Sequence, residues 1–422
     1  MNYSEALEYI HSINWTFCKP GLERIETLCK KLGDPQKDLR FIHVAGTNGK
    51  GSFCSMMNSI IIESGLKVGL YTSPYIRFFN ERMCVNGEPI SNEELSELCD
   101  YIKPISDEMT DKPTEFELIT AIAFEYFKRH SCDVVILEAG MGGRLDSTNI
   151  IRDPILSVIT GIALDHTAFL GDTVEKIAAE KAGIIKDNAP VLFGGDSESA
   201  ASVIENTANE RGSELYRVDY NKLSVTSADL DGTTFDYGEY KDLKIKLLGT
   251  YQPRNAAVVL SAVELLKKRG FDISEKAIRG GLEKAVWHAR FEIINRDPLM
   301  IFDGAHNPQG IASAVESIKT YFGENKVYVL TGVLKDKDYN VIAKDISTIA
   351  SKAFVLTPDN PRALSSEEYA KVLAGYSVDA TSYDTLENAL VSALKASGED
   401  GVPLVCLGSL YVYSSLMKIM EK

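Results

Sequence analysis

Short runs of apolar residues recur along this chain, separated by longer segments in which apolar and polar residues mix with helical spacing. The runs FIHVA at 41–45, DVVILE at 133–138 and ILSVIT at 155–160 are apolar at most positions. Strands that are apolar on both faces are typical of a parallel sheet covered by helices on each side. The pattern therefore predicts an α/β fold built on a buried parallel sheet.

The same pattern extends over the rest of the sequence. It predicts strands at 41–45, 68–72, 133–138, 155–160, 299–303, 326–331, 353–357 and 402–407, and helices at 20–32, 50–64, 91–109, 115–129, 173–185, 253–269 and 274–285. Pro20 would occupy the first helical position of its helix, and Gly33 would follow the helix end. Residues 73–89, rich in Pro, Asn and Gly, are expected to form a long loop.

Residues 222–248 depart from this pattern. They alternate between polar and apolar positions and contain the turn sequence Asp231-Gly232, which is typical of antiparallel hairpins. A second series of strands and helices begins near 295–298, and a chain of 422 residues is too long for one ordinary core. We therefore expect two domains, residues 1–294 and residues 295–422, of which the second is a smaller, Rossmann-like α/β domain.

Composition excludes several classes of protein. Hydrophobic residues at 45% and charged residues at 25% are ordinary globular values, and no apolar run approaches the ~18 residues of a membrane span. The net charge of −15 provides no basic surface for nucleic acid. The N-terminus lacks the basic and apolar segments of a secretory signal, and the seven cysteines are scattered without a CxxC pair. We expect a cytoplasmic protein with no nucleic-acid or membrane partner, no zinc site and no disulfides.

The most informative segment is FIHVAGTNGKGS at 41–52, where a buried strand ends in a glycine-rich loop and a helix follows. Backbone N–H groups and the dipole of such a helix form an anion site, to which Lys50 adds a mobile positive charge. This arrangement suits nucleotide phosphates with Mg²⁺, with Thr47 or Ser52 as the hydroxyl ligand. Val44 and Gly51 depart from the standard Walker A sequence, so a turn that only joins strand to helix is the alternative. We favour a P-loop because strand, loop, lysine, hydroxyl and helix follow in order.

Glu138 ends the predicted strand 133–138. A carboxylate at the end of a buried strand beside a P-loop strand is where NTPases hold Mg²⁺ or its bound water, although an acidic residue can also simply end a strand. The glycines that follow favour a functional role. Residues 140–145 match the dinucleotide pattern GxGxxG only in part, since Leu145 stands at its last position, and we do not expect a dinucleotide site.

Two further candidates lie later in the first domain. His166 follows strand 155–160 and stands directly after Asp165 at the expected ligand-bearing edge of the sheet, although a lone histidine is more often structural. Lys181 lies within a predicted helix, and from the residues alone it is interpreted as a solvated charge. An acidic protein that handles an anionic substrate must concentrate its positive groups locally. Such groups near glycine or proline loops are Lys50, Arg77, Arg82 and Arg144.

Seven short segments occur in an order and spacing that together are very specific. They are GTNGKGS (46–52), LEAGMGGRLDSTN (137–149), LDH (164–166), EKAGIIK (180–186), YQPRNAA (251–257), WHARFE (287–292) and DGAHNP (303–308). Together they strongly resemble folylpolyglutamate synthase and dihydrofolate synthase, within the Mur-ligase-like superfamily of ATP-dependent amide ligases. The resemblance extends from Trp15 to about Tyr411, nearly the whole chain.

The resemblance implies an ATP-dependent ligase that adds L-glutamate through an acyl phosphate. The acceptor would be a folate, dihydropteroate or both. The implied cofactors are ATP and Mg²⁺, and a monovalent cation such as K⁺ would also be compatible. A monomer is expected.

The resemblance also implies roles for individual residues. Nucleotide-binding positions would be Gly46, Thr47, Asn48, Gly49, Lys50, Gly51, Ser52, Asn255, Arg290 and Asp303. Metal-binding positions would be Ser52, Glu138, His166 and Lys181, the lysine as an anionic carbamate, because an ammonium would repel Mg²⁺. Catalytic positions would be Lys50, Lys181, His166, Asp303 and His306. Folate-side positions would be Ser73, Pro74, Tyr75, Arg77 and Arg82.

Some positions differ from the family pattern. The family commonly has His where Tyr75 and Tyr251 stand, and Pro-Gly where His288-Ala289 precede Arg290. Asn255 has a plain alternative as a polar residue near a helix start. Asp303-Gly304 could likewise be a strand-ending turn.

Other functions remain as alternatives. A P-loop switch or motor ATPase would release ADP without an amino acid, but no nucleobase-specificity sequence such as NKxD is visible. A Mur-type peptide ligase is disfavoured by GTNGKGS and DGAHN. A non-catalytic nucleotide-binding module is disfavoured because candidate metal ligands lie on three successive loops.

Overall fold

Three β-sheets organise the part of the chain that the structure describes, residues 1–13 and 21–421 of this computed structural model. Two of the sheets are mostly parallel and flanked by helices, and the third is a small antiparallel sheet. This arrangement confirms the predicted α/β class with an added antiparallel region and a second α/β sheet.

The first sheet has eight strands in the order β4-β3-β2-β5-β1-β6-β7-β8. They are β1 (Phe41–Ala45), β2 (Val68–Tyr71), β3 (Met83–Val85), β4 (Glu88–Pro89), β5 (Val134–Glu138), β6 (Leu156–Ile159), β7 (Val191–Phe193) and β8 (Leu215–Arg217). Strand β1 is central, and Ile42 pairs in parallel register with Ile136 of β5 and Leu156 of β6. The carboxyl ends of β1, β5 and β6 therefore meet at one edge.

Helices cover both faces of this sheet. They are α1 (Tyr3–Ser12), α2 (Glu23–Lys31), α3 (Lys50–Glu63), α4 (Asn92–Asp107), α5 (Glu115–Arg129), α6 (Thr167–Leu170), α7 (Val174–Ala182), α8 (Glu198–Glu210), α9 (Gln252–Lys268) and α10 (Glu275–Lys284). Ile42 and Val44 belong to a core with α3, α9 and α10, whereas Phe41 belongs to a core with α1, α2, α4 and α5. This burial on both faces explains why β1 has apolar residues on each of its two faces.

Some boundaries and elements differ from the sequence prediction. Helix α2 begins at Glu23, and the predicted first residue, Pro20, lies outside the described residues. The expected loop at 73–89 contains strands β3 and β4, which extend the sheet: β3 pairs antiparallel with β2, and β4 pairs antiparallel with β3. Asn86 and Gly87 both have positive φ and form the turn between them. Asn-Gly is a strong hairpin signal, and the short flanking strands concealed it.

The second sheet is an antiparallel meander of β9 (Leu223–Asp229), β10 (Gly232–Tyr237) and β11 (Tyr240–Ile245). A two-residue turn at Leu230-Asp231 connects β9 to β10, one residue earlier than the predicted Asp231-Gly232, because Gly232 already pairs with Asp229 as the first residue of β10. Its apolar face, with Phe235, Leu243 and Ile245, joins the core beneath α9. The meander thereby covers one side of the first domain.

The third sheet has six strands in the order β12-β13-β17-β14-β15-β16, of which only β12 is antiparallel. They are β12 (Glu292–Arg296), β13 (Leu299–Phe302), β14 (Val327–Thr331), β15 (Ala350–Val355), β16 (Asp379–Ser382) and β17 (Leu404–Leu407). The accompanying helices are α11 (Pro308–Phe322), α12 (Tyr339–Ser347), α13 (Ser366–Gly375), α14 (Leu386–Asp400) and α15 (Val412–Met420). The sheet begins at Glu292, three residues before the predicted division at 295, and that division stays a prediction.

Two expectations concern membranes and cysteines. Within residues 1–13 and 21–421, no helix combines the length and apolar character needed to cross a bilayer. Six cysteines are buried and free (Cys29, Cys54, Cys84, Cys99, Cys132 and Cys406), and the seventh, Cys18, lies outside the described residues.

The contact between α3 and α10 predicts a specific stability effect. A Cβ placed at Gly281 of α10 would lie 2.5 Å from Cα and 2.6 Å from N of Ile60 in α3, so Gly281→Ala must push the two helix backbones apart. We expect a loss of about 1–3 kcal/mol in the free energy of unfolding, measured by urea denaturation. Gly398→Ala in α14 has open space around the added methyl group and should be neutral or stabilising by up to about 1 kcal/mol. Equal stability of the two variants would contradict the packing described here.

Candidate active site

A cleft of about 1400 Å³ lies between the first and third sheets. It is lined by the loops that follow β1, β2, β5 and β6 of the first domain and by the loop that follows β13 of the second. The carboxyl edges of parallel sheets are the usual ligand-binding edges of α/β folds. The cleft therefore lies between the carboxyl edges of the two parallel sheets, where ligand-binding loops are expected.

The glycine-rich loop after β1 is locked against the loop after β6. A Cβ at Gly46 would lie 1.9 Å from Thr160 Oγ1, and Gly46 has a φ of +152°. The backbone N–H of Thr47 donates to Gly161 O at 2.7 Å, and Thr160 Oγ1 donates to Asn48 O at 2.7 Å. These contacts fix the loop so that α3 starts at Lys50, directly beneath the cleft.

The first turn of α3 is open to the cleft. Gly49 is the N-cap residue, and no described side chain caps the helix. The hydroxyl of Thr47 is already bonded to both backbone atoms of Ala163, N and O, at 3.1 Å each. The hydroxyl of Ser52, which lines the cleft, makes no hydrogen bond to any residue within the described ranges. The geometry thus favours Ser52 over Thr47 as a hydroxyl that is available to a ligand.

Lys50 and Glu138 face each other in the cleft. Lys50 Nζ donates to Gly46 O at 3.1 Å and lies 3.9 Å from Glu138 Oε1. Glu138 is 4% exposed and also accepts the backbone N–H of Ser73 at 3.3 Å. Burial raises the pKa of the Glu138 carboxyl, and the nearby Lys50 charge only partly offsets this effect. A shielded carboxylate beside a lysine ammonium is suited to a metal ion with bound phosphate.

The structure contradicts the interpretation of Lys181 as a solvated charge. Lys181 is 5% exposed, and its Nζ donates to Gly46 O at 2.8 Å. Burial, followed by repulsion from Lys50, lowers the pKa of Lys181 to about 7. The local residue pattern could not show this, because one turn of an amphipathic helix does not reveal which way a lysine points; only the family resemblance implied a functional role for Lys181. The Lys181 side chain lies beneath the phosphate loop and does not line the cleft.

His166 and Asp165 lie at the end of the loop after β6. His166 adopts a left-handed conformation with φ +49°, is half exposed, and has a pKa lowered by burial. Asp165 Oδ1 accepts the backbone N–H of His166 at 2.9 Å. Burial raises the pKa of Asp165, but the charge and hydrogen bond of Lys337 lower it more, so the carboxylate stays ionised. Sequence analysis did not identify Lys337, a lysine in a run of charged residues.

The glycine loop after β5 serves packing. A Cβ at Gly140 would lie 2.6 Å from the Phe116 ring, and one at Gly143 would lie 2.8 Å from the carbonyl oxygen of Glu180. The loop is followed by a short 3-10 turn, Ser147–Ile150, capped by Asp146. The partial GxGxxG sequence thus reflects close contacts with α5 and α7.

A buried series of side-chain hydrogen bonds, which sequence analysis did not identify, supports the glycine loop after β5. Asp146 Oδ1 accepts the Thr148 hydroxyl at 2.6 Å, and Thr148 Oγ1 in turn lies 2.9 Å from His43 Nε2 in β1. Because the Thr148 hydroxyl donates to the carboxylate, it accepts from His43, so Nε2 carries the proton. Burial lowers the pKa of His43 to about 3 and raises that of Asp146, which lines the cleft.

The second domain contributes a buried carboxylate, Asp303, at the end of β13. Its Oδ2 accepts from Tyr251 Oη at 2.7 Å and from the backbone N–H of Phe291 at 2.9 Å, and its Oδ1 accepts from Ala305 N at 2.7 Å. Burial raises the pKa of Asp303, although Arg290 opposes this effect. Asp303 therefore holds three surrounding segments through hydrogen bonds, and it also lines the cleft. The phenol of Tyr251, where the family pattern has His, supplies one of its three donors.

Three other predicted residues line the cleft around Asp303. His306 Nδ1 donates to Gly304 O at 2.9 Å, and burial lowers the pKa of His306 to about 4, so the ring is neutral. Arg290 Nη1 donates to Ala289 O at 3.2 Å. Asn255 at the start of α9 donates to Gln252 Oε1 at 3.0 Å and lies against Gly49 of the phosphate loop.

The loop after β2 forms the other end of the cleft. Its lining residues include Ser73, Pro74, Tyr75 and Arg82. The Arg82 guanidinium lies 5.1 Å from the ring centroid of Tyr75, and its Nε is buried without a partner among the described residues. Arg77, in contrast, does not line the cleft, because its guanidinium donates to Glu421 Oε1 at 2.7 Å. The structure thus brings four of the five predicted folate-side residues to the cleft.

The predicted metal ligands are not gathered in a preformed cage. Within the described residues, no group of three His, Cys, Asp or Glu side chains is close enough to hold a metal ion. Glu138 and Ser52 line the cleft together with Lys50, and His166 lines it from the loop after β6. Of the predicted nucleotide and catalytic residues, only Gly46 and Lys181 do not line the cleft; both lie directly beneath it.

Comparison with known proteins shows the class of protein. The family model described as Mur ligase middle domain matches residues 44–263, and that described as Mur ligase, glutamate ligase domain, matches residues 289–410. The chain belongs to the Mur ligase family of ATP-dependent amide ligases.

Individual relatives show which group of Mur ligases the chain resembles most specifically. The dihydrofolate synthase/folylpolyglutamate synthase of Bacillus subtilis is 38% identical, and the match covers 99% of each chain. A solved FPGS–AMPPCP–folate complex has a TM-score of 0.87 with 36% identity, covering all of both chains. Escherichia coli FolC, solved in complex with DHPP and ADP, has a TM-score of 0.87 with 30% identity, covering 100% of this chain and 98% of the other.

The protein described here belongs to the folylpolyglutamate synthase/dihydrofolate synthase family. It is an ATP-dependent acid–amino-acid ligase, as the seven sequence segments indicated.

Proposed function

We propose that the cleft binds ATP on the 46–52 loop, with Mg²⁺, and joins L-glutamate to the carboxylate of a folate-type acceptor held by the loop after β2. The observation that carries the proposal is the open first turn of α3 with Lys50 and the buried Glu138 at its mouth, facing Asp303 and His306 of the second domain. This arrangement places an anion site, with Lys50, next to a carboxylate that would hold the metal ion, within one cleft.

The chemistry follows from the reactants. A carboxylate is a poor acyl donor at neutral pH, so an oxygen of the acceptor carboxylate attacks the γ-phosphorus of ATP and ADP leaves. The amine of glutamate then attacks the acyl carbon, the bond from carbon to the phosphate oxygen breaks, and phosphate leaves with the amide formed. All these species are anionic, so the protein contributes mainly positioning and neutralisation of charge.

The residues present fit Mg²⁺. This ion keeps several waters and is usually bound by one or two carboxylates together with substrate phosphates, so a preformed cage is not needed. The unpartnered hydroxyl of Ser52 and the buried carboxylate of Glu138 would hold it, with His166 as a further ligand. When bound, the metal neutralises developing charge on the phosphates. A monovalent cation such as K⁺ stays a prediction, as does the monomeric state.

Lys50 lines the cleft from the start of α3, and Arg290 lines it from the segment just before β12. Lys50 Nζ donates to two backbone carbonyls of its own loop, at 3.1 and 3.4 Å, and its ion pair with Glu138 is long, at 3.9 Å, so a turn toward phosphate oxygens breaks no short charged hydrogen bond. His306 is neutral and keeps its Nδ1 proton on Gly304, which leaves Nε2 as an acceptor. An unprotonated nitrogen in the cleft is suited to hold or receive a proton from the incoming amine.

Two acceptors are considered, dihydropteroate and a reduced folate. The Escherichia coli relative was solved with DHPP, and another solved relative was solved with folate. We propose that this chain accepts a reduced folate and also dihydropteroate, since curated relatives that carry both activities in their names match it end to end. A switch ATPase or a cell-wall peptide ligase is less well supported, because the family comparison favours neither.

An ADP-release assay tests the proposed function. With ATP and Mg²⁺ present, we expect release to require both L-glutamate and one pteridine acceptor, tested separately as dihydropteroate and tetrahydrofolate. Lys50→Ala and Glu138→Ala should each reduce turnover below about 1% of wild type, because Lys50 neutralises phosphate charge directly and Glu138 would hold the Mg²⁺ that does so. Thermal unfolding should show that both variants fold.

Matched controls use exposed residues of the same type. Lys176→Ala and Glu205→Ala alter helix surfaces outside the cleft and should retain full turnover. Full activity in Lys50→Ala or Glu138→Ala, or ADP release that needs no glutamate, would reject the assignment.

The buried Lys181 predicts a carbamate. With a pKa of about 7, a large share of Lys181 is the neutral amine at neutral pH, and that form adds to CO₂ with loss of a proton. We expect a carbamate signal in the ¹³C NMR spectrum of protein equilibrated with ¹³C-bicarbonate, and its loss in Lys181→Arg. Lys186→Arg is the matched control, because burial lowers the pKa of Lys186 to about 8 outside the cleft. A signal that survives in Lys181→Arg would contradict carbamylation at this position.

A further inference from the structure

An ion pair crosses the cleft between the two domains. Lys337 Nζ, in the loop after β14, donates to Asp165 Oδ1, in the loop after β6, at 2.9 Å. The two side chains are 11% and 12% exposed. The pair therefore joins the functional edges of the two sheets in a largely shielded place.

Polar contacts beside this pair reach the phosphate loop itself. Asn307, the N-cap of α11, donates to Asp165 Oδ2 at 3.3 Å. Asn48 of the phosphate loop donates to Gln309 Oε1 at 2.7 Å. We call the five residues Asn48, Asp165, Asn307, Gln309 and Lys337 the clasp. All of them line the cleft.

Backbone hydrogen bonds hold the second-domain segment that carries Lys337. Backbone bonds link Lys335 N to Arg362 O at 2.8 Å and Leu364 N to Val333 O at 2.9 Å, so the 333–337 segment is tied to a neighbouring loop. The segment that carries Lys337 is thus ordered by its own backbone hydrogen bonds. The ion pair therefore does not have to offset the entropy lost in ordering that backbone.

Comparison with other ion pairs across the domains shows why this one matters. Among the described residues, two further pairs join residues before and after 294: Arg77 with Glu421, and Arg296 with Asp231. Both are substantially exposed, and exposed pairs contribute little. In Asp165–Lys337, removal of one partner would leave a largely buried charge without compensation, which is strongly unfavourable.

We propose that Asp165 and Lys337 are positioning residues that hold the second domain closed over the phosphate loop while the acyl phosphate exists. This proposal rests on the proposed function. Water that reaches the intermediate would attack its acyl carbon, phosphate would leave, and the original carboxylate would return with ATP hydrolysed and no amide formed. The clasp thereby sets how tightly ATP hydrolysis is coupled to ligation.

The proposal is tested by the coupling ratio, which is the amount of phosphate released per amide formed. In Lys337→Met we expect amide formation to fall about 10- to 100-fold while the phosphate released per amide formed rises several-fold. The KM for ATP should change less than about threefold, because the phosphate loop is intact. Lys337→Arg keeps the charge and should restore a ratio near wild type. Lys335→Met, an exposed lysine in the same segment, is the matched control and should leave both rates unchanged.

A second measurement does not depend on activity. Spin labels at Glu205→Cys in α8 and Lys395→Cys in α14 report the distance between the domains by pulsed dipolar spectroscopy. Lys337→Met should broaden and lengthen the distribution relative to wild type and Lys335→Met. If Lys337→Met does not fold, Lys337→Gln replaces it in both measurements.

The outcomes separate the two proposals. An unchanged coupling ratio together with an unchanged distance distribution in Lys337→Met would overturn the clasp. A parallel fall of phosphate release and amide formation, with the ratio unchanged, would also overturn it, because that result indicates only a general structural role. Failure of the wild type to form amide with any acceptor would overturn the proposed function, and the distance measurement would still decide whether the clasp closes the domains.

Discussion

The site depends on the close packing of one backbone loop against its neighbour. Gly46 lies so near Thr160 that no side chain fits between them, and the Thr160 hydroxyl holds the carbonyl of Asn48. With the loop held in this way, α3 begins at Lys50 and its first N–H groups stay free of side-chain caps. The anion site is therefore a consequence of strand order, since β6 must lie directly beside β1 for Thr160 to reach the loop.

Around this loop, the cleft balances buried charges. Two lysines, Lys50 and Lys181, donate to the same carbonyl of Gly46, and the buried carboxyl of Glu138 lies across from Lys50. Burial favours the neutral forms of both Lys181 and Glu138. Such groups are poorly stabilised without a ligand, so a polyanion with a divalent cation would complete the site. The second domain supplies the remaining carboxylate, Asp303, already held by three donors.

Much of this could be predicted from the sequence, for identifiable reasons. Strand β1, the loop and α3 have strong local signals, because burial on both faces, glycine and a following helix leave a distinct pattern. The hairpin at Asn86-Gly87 and the short strands β7 and β8 were missed, because strands of two or three residues show no periodicity. The burial of Lys181, the Tyr251–Asp303 bond and the Asp165–Lys337 pair were also missed. Each depends on contacts between segments distant in the chain, which no local pattern records.

The most direct test of this account is a crystal structure of the protein with a non-hydrolysable ATP analogue and Mg²⁺. We predict that the β- and γ-phosphates lie over the first turn of α3, within hydrogen-bond distance of the N–H groups of residues 49–52, with Lys50 turned from Gly46 O to phosphate oxygen and the metal between Ser52 and Glu138. A nucleotide bound elsewhere, or a phosphate loop that remains empty at saturating analogue, would contradict the central claim that this loop holds the triphosphate between the two domains.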